Sequence, residues 1–151
     1  MGSLTGKTAV VTGASGEANF GSSIARRLAA EGANVVVSAR RSEPLEALAE
    51  DIGGLAFACD VTDEAQVGGL FSAAGERYGG VDMAVFTAGF QTFGPIAELH
   101  AAQNRPTLEI SFIGALLYFN HAAAAMANGG SVVTMSSLTA RLPGPGMALY
   151  S

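Results

Sequence analysis

Short runs of nearly continuous apolar residues alternate along this chain with longer stretches in which apolar residues recur every three or four positions. The short runs, rich in valine, cover Thr8 to Thr12, Asn34 to Ser38, Leu55 to Ala58, Val81 to Phe86 and Ser131 to Ser136. Continuity rather than alternation is how strands buried on both faces of a parallel sheet read, so five such strands are predicted. The longer stretches, Ser22 to Glu31, Glu43 to Asp51, Glu64 to Tyr78 and Pro106 to Ala127, are the crossover helices that parallel connections require. Gly32, Gly53, Gly79 with Gly80, and Gly129 with Gly130 fall just past them, where helices commonly end in a left-handed glycine. Pro106 fits an early helical position, at which its missing N–H costs little. Strand and helix alternate throughout, which predicts an α/β fold with an open, doubly wound parallel sheet. No internal repeat or linker suggests a second domain within residues 1–151.

Composition narrows the chemistry. The chain has 151 residues, 49% hydrophobic and only 14% charged, enough apolar mass for one globular core. A formal net charge of -5 without any basic tract argues against nucleic-acid binding, which needs a basic face. Cys59 is the only cysteine, which excludes an intrachain disulfide, and His100 and His121 are not at metal-ligand spacing. The amino terminus runs straight into the first strand with no signal-like apolar region, and Gly6 stands where a myristoylation site needs Ser or Thr. A soluble cytoplasmic protein with no membrane partner is expected.

The first strand-to-helix turn, Thr12 to Ala25, reads T-G-A-S-G-E-A-N-F-G-S-S-I-A. Gly13 lets the backbone turn sharply, and Gly21 lets the helix start close to a ligand whose diphosphate meets the helix's free N–H groups and positive end. Ser15, Asn19 and Phe20 complete the candidate cradle. Glycines that merely permit a tight turn are the plain alternative; the position between a buried strand and a helix favours the cradle. The second strand ends V-V-V-S-A-R-R, with Arg40 and Arg41 where dinucleotide folds meet the adenosine ribose. An acid there binds a 2′-hydroxyl, whereas a guanidinium fork suits a 2′-phosphate, so NADP(H) is expected over NAD(H). Two solvated arginines opening a helix are the alternative, although helix starts prefer acids.

Near the carboxyl end Ser137 stands thirteen positions before Tyr150. That interval, the glycine turn, C-D-V-T-D from Cys59 to Asp63, T-A-G from Thr87 to Gly89, and G-P-I-A-E-L from Gly94 to Leu99 together resemble the short-chain dehydrogenase/reductase family, in order and over essentially the whole chain. The resemblance implies a Rossmann-type fold in which Asp60 and Val61 border the adenine, Ala88 and Gly89 line the nicotinamide-ribose side, and Ser137 and Tyr150 are catalytic. Read without it, Asp63 is a helix N-cap, Asp60 a surface turn and Gly89 a packing glycine. The family also implies a homodimer or homotetramer, with the long helix contributing to an interface.

Departures from the family pattern are equally specific. Aligned on Gly21, the glycine turn carries two extra residues and has Asn19 where the family's middle glycine belongs. That length resembles the divergent enoyl-reductase branch, which also favours serine near the centre of the long helix. The family's N-N-A-G reads F-T-A-G, Phe86 to Gly89, and its proton-relay asparagine aligns with Ser111, which is otherwise a helix residue bonded to its own backbone. The family lysine four residues after the tyrosine has no counterpart within the chain, whose only lysine is Lys7, so a longer native enzyme is expected. The implied reaction is hydride exchange between NADP(H) and a small carbonyl or alcohol substrate, Ser137 holding the oxygen and Tyr150 passing the proton. An enoyl reductase is the second reading, and a non-catalytic nucleotide-binding domain the third.

Overall fold

The computed structural model describes residues 2–16 and 18–150. Five parallel strands, β1 (Thr8–Thr12), β2 (Asn34–Ala39), β3 (Leu55–Ala58), β4 (Met83–Phe86) and β5 (Ser131–Thr134), form one sheet in the order β3-β2-β1-β4-β5. The connecting helices are α1 (Phe20–Ala30), α2 (Ser42–Ile52), α3 (Glu64–Tyr78) and a long segment built of α4 (Ala101–Leu108), a π-helical turn (Glu109–Ile113) and α5 (Gly114–Ala125). Strand order reverses at β1, because α1 carries the chain out to β2 and α3 returns it to β4 on the other side of β1. Such a reversal opens a crevice at the carboxyl ends of the strands.

Alternate side chains of the central strands feed two separate cores. Val10, Val36 and Ala84 pack with Leu70, Phe71, Tyr118 and Ala122 of α3 and α5, whereas Val11, Val35, Val37 and Val85 pack with Ala25, Leu45 and Leu48 of α1 and α2. Burial on both faces is the reason these strands read as unbroken apolar runs. β5 differs from that expectation. It pairs only with β4, at the sheet's edge, and all four of its residues are exposed.

Local chemistry explains most helix boundaries. Asp63 caps α3 by accepting the Gln66 N–H, and Gly53 and Gly79 end α2 and α3 in the left-handed conformation. The long helix is a correction to the sequence reading, since it begins at Ala101 rather than near Pro106. Pro106 is the sixth residue of the helix, past its first turn, so its ring leaves the Ala102 carbonyl without an intrahelical N–H partner. By length and composition Ala101–Ala125 could cross a bilayer, but Tyr118 and Ala122 of this segment are fully buried against the sheet. At the strands' amino ends, Lys7 Nζ donates to Asp82 Oδ1 (2.7 Å) and the Thr8 N–H to Oδ2 (2.9 Å), which holds the Asp82 carboxyl below its ordinary range. Lys7 thus works at the end of the sheet opposite the crevice.

Candidate functional site

At the carboxyl ends of the strands lies a cleft of about 640 Å³, a volume typical of small-molecule sites. Gly13, Ser15 and Asn19 reach it from the turn after β1, Ala39, Arg40 and Arg41 from β2, and Cys59, Asp60 and Val61 from β3. Thr87, Ala88, Gly89 and Phe90 follow β4, and Ile110 comes from the π-helical turn. Eight of the residues expected at a coenzyme site therefore converge here. Phe20 and Gly21 are outside the lining: Phe20 is 69% exposed, and Gly21 is buried behind the turn.

Gly13 makes the sharp turn expected of it, and both glycines also sit against Thr87. Gly13 has φ 74°, and a Cβ there would lie 2.6 Å from Thr87 Oγ1 and 2.9 Å from the Ala88 nitrogen. A Cβ on Gly21 would lie 2.7 Å from the Gly13 carbonyl oxygen and 2.9 Å from Thr87 Oγ1. Gly21 therefore lets α1 start close against the turn itself. Both glycines make room for Thr87, whose hydroxyl donates to the Thr12 carbonyl (2.6 Å) and ties the tip of β4 to that of β1. Thr87 is a positioning residue that sequence reasoning passed over; the departure from N-N-A-G was its only signal.

Asn19 shows why a glycine is dispensable at its position. Its Nδ2 donates to the Gly13 carbonyl (2.8 Å) while its Oδ1 accepts the Ser22 N–H (2.8 Å), and its own N–H reaches Ser22 Oγ (3.2 Å). One carboxamide thus closes the lengthened turn and caps α1. Asp60 both borders the cleft and builds the surface turn, accepting from the Thr62 N–H (3.0 Å) and hydroxyl (2.8 Å).

Cys59 lines the cleft beside Asp60 and is 2% exposed. Burial, reinforced by Asp60 and Asp63, pushes its thiol from 9.0 up to about 11. Because the folded value lies above the unfolded one, the linked stability is present below pH 9 and is lost as pH rises toward 11. Urea titrations are expected to show stability falling across that window in the wild type and a flatter profile in Cys59→Ala. Equal slopes in the two proteins would refute the assignment.

The expected catalytic residues stand apart from the cleft lining. Ser111, in the π-helical turn, accepts the Phe90 N–H (3.2 Å) and donates to the Phe90 carbonyl (3.0 Å), so its hydroxyl spans the fold instead of bonding to its own helix. Ser137 opens a 3₁₀ turn (Leu138–Ala140) and accepts from the Thr139 N–H (3.3 Å) and hydroxyl (2.9 Å). Both bonds use oxygen lone pairs, which leaves the Ser137 proton available to donate. Tyr150 is half-buried, its N–H bonded to the Met147 carbonyl (2.9 Å). The segment around it is tied to the β4–α4 loop by the Gly94 N–H to Gly146 carbonyl bond (3.0 Å). Among the described residues no hydrogen bond joins the Ser137 and Tyr150 side chains.

A doubly wound parallel sheet with a glycine turn, two arginines and a crevice at its switch point defines a dinucleotide-binding α/β protein. The donor set fits such a ligand: guanidinium groups for phosphate, a helix amino terminus, and main chain at Ala88 and Gly89 free of bulky side chains. The family profile described as enoyl-(acyl carrier protein) reductase matches residues 13–151. The chain belongs to the short-chain dehydrogenase/reductase family. It is 40% identical over 99% of its length to glycine betaine reductase ATRR of Emericella nidulans, of which it spans 12%. A short-chain dehydrogenase from Mycobacterium smegmatis superposes with a TM-score of 0.93 at 26% identity, over 99% of this chain and 66% of that one. An actinorhodin polyketide ketoreductase variant crystallised with NADPH gives 0.90 at 30% identity, over 99% and 60%. The chain thus spans from about one eighth to about two thirds of these proteins' lengths.

Proposed function

We propose that this chain carries the coenzyme site and part of the catalytic apparatus of an NADP(H)-dependent oxidoreductase that reduces a small carbonyl compound or oxidises the matching alcohol. The observation that carries the reading is the cleft itself, which gathers the glycine turn, Arg40, Asp60, Ala88 and Gly89 from four separate loops. When bound, the reduced nicotinamide supplies the hydride. Ser137 hydrogen-bonds through its uncommitted O–H to the substrate oxygen as charge gathers there, and Tyr150 gives that oxygen the single proton that completes the alcohol. Ser111 holds the Phe90 main chain beside the cleft. The exposed stripe Leu108, Phe112 and Leu116 supports a homo-oligomer assembled through the long helix.

Arg40→Ala provides the test of coenzyme preference. Loss of a charge-assisted bond to phosphate is expected to raise the NADPH Kd about 10- to 100-fold while leaving NADH binding within about twofold. Equal weakening for both coenzymes would remove Arg40 as the discriminator. An enoyl reductase is the second reading, favoured by the description of the matching profile and by the lengthened glycine turn. Assaying the intact protein with a ketone and with an enoyl thioester separates the two, and turnover of the enoyl thioester alone would sink carbonyl reduction.

A further inference from the structure

We infer that Arg41 is a positioning residue that clasps the coenzyme turn by its main chain, and that discrimination between coenzymes belongs to Arg40 alone. The inference rests on the reading that the cleft takes a nicotinamide dinucleotide. Adjacent in sequence and both facing the cleft, the two arginines are held differently. Arg41 Nη2 donates to the Ser15 carbonyl (2.8 Å) and lies 3.4 Å from Ser15 Oγ. Arg40 makes no hydrogen bond or ion pair among the described residues, so its guanidinium is uncommitted.

The turn has a particular need for a clasp. It is two residues longer than the common family pattern, and its other ties lie toward its ends. The Ala14 N–H reaches the Ser38 carbonyl (3.2 Å), and Asn19 Nδ2 reaches the Gly13 carbonyl (2.8 Å). Among the described residues, the bonds that reach Ser15 come from Arg41. Without them the crest of the turn samples more conformations, and apparent affinity falls by the fraction of molecules in which the cradle is formed. That penalty applies to any ligand whose diphosphate lies on the turn. NADPH and NADH share the diphosphate and differ only at the 2′-position, so both must suffer alike. One N–H donor satisfies a carbonyl, whereas reading a phosphate face draws on the full guanidinium fork.

Coenzyme titration of the intact protein, together with amide hydrogen exchange of residues 14–20 measured without coenzyme, tests this. Arg41→Ala is expected to raise the Kd of NADPH and of NADH by the same factor, about fivefold for one lost bond, and to speed exchange in the turn. Arg41→Lys, whose ammonium can still donate to the Ser15 carbonyl, is expected to restore both. An effect on NADPH alone, unchanged affinities with a binding wild type, or unchanged exchange would each overturn the clasp. A wild type that binds neither coenzyme would instead overturn the functional reading, and this inference with it.

Discussion

Tyr150→Phe is expected to lower kcat for substrate reduction by about 10²- to 10⁴-fold, the range over which a positioned general acid contributes, with NADPH affinity essentially unchanged. The substitution removes one oxygen and keeps the ring, so the half-buried packing of residue 150 and its main-chain bond to Met147 survive. Neither Tyr150 nor Ser137 lines the coenzyme cleft, which is why binding and turnover should separate. Ser137→Ala belongs beside it: the Thr139 bonds leave the serine proton to donate, and its loss is expected to cost about 10²- to 10³-fold, as for a single oxyanion donor. Single-turnover rates on the intact protein with NADPH prebound are the measurement. If Tyr150→Phe retains wild-type rates, the proton comes from elsewhere and the Ser/Tyr assignment falls.

Tyr118→Ala is expected to destabilise the fold by about 3–5 kcal/mol, the cost of emptying a large buried aromatic site. Tyr118 is fully buried, with ring centroids 5.0 Å from Phe71, 5.3 Å from Phe86 and 6.1 Å from Phe119. Its hydroxyl passes the ring cluster and donates to the Val10 carbonyl (2.8 Å), with the Val85 carbonyl at 3.3 Å, pinning α5 to β1 and β4 where the strand order reverses. Burial raises the phenol far above its ordinary range, so it stays a donor at every working pH. Tyr118→Phe keeps the ring and loses only the bonds, for about 1–2 kcal/mol. Urea denaturation separates the two contributions. A Phe variant as unstable as the Ala variant would mean that the hydroxyl, not the packing, holds the helix.

Several elements were legible because their signals are local. The bounds of β1, β3 and α3 agree with the apolar runs, and α3 is punctuated by the Asp63 cap and the Gly79 stop. The start of α4 was misread because proline's preference for a first turn outweighed the weak pattern of Ala101 to Arg105, a stretch with almost no apolar stripe. β5 reads as apolar as its neighbours yet is exposed, since hydrophobicity records what a strand is suited to pack against, not which helices reach it.

The arrangement of the site depended on contacts between distant positions. Thr87 and Thr12 are 75 residues apart, Ser111 and Phe90 are 21 apart, and Arg41 and Ser15 are 26 apart. Residue type in its place made Gly13 and Arg40 candidates, because the chemistry of a tight turn and of a phosphate partner is confined to few side chains, whereas Asp60 became one through the family resemblance and Asn19 through its position in the glycine turn. The order of strands and helices was likewise set by the sequence, since burial on two faces demands unbroken apolar runs and crossovers demand helices. Only the tertiary structure decided that Gly21 packs against Thr87 and that Ser111 holds Phe90. It also divided the two arginines, one held by a main-chain carbonyl and the other uncommitted. Those outcomes follow from how loops from separate strands converge on one edge of the sheet, a geometry set by packing that no local stretch of the chain encodes.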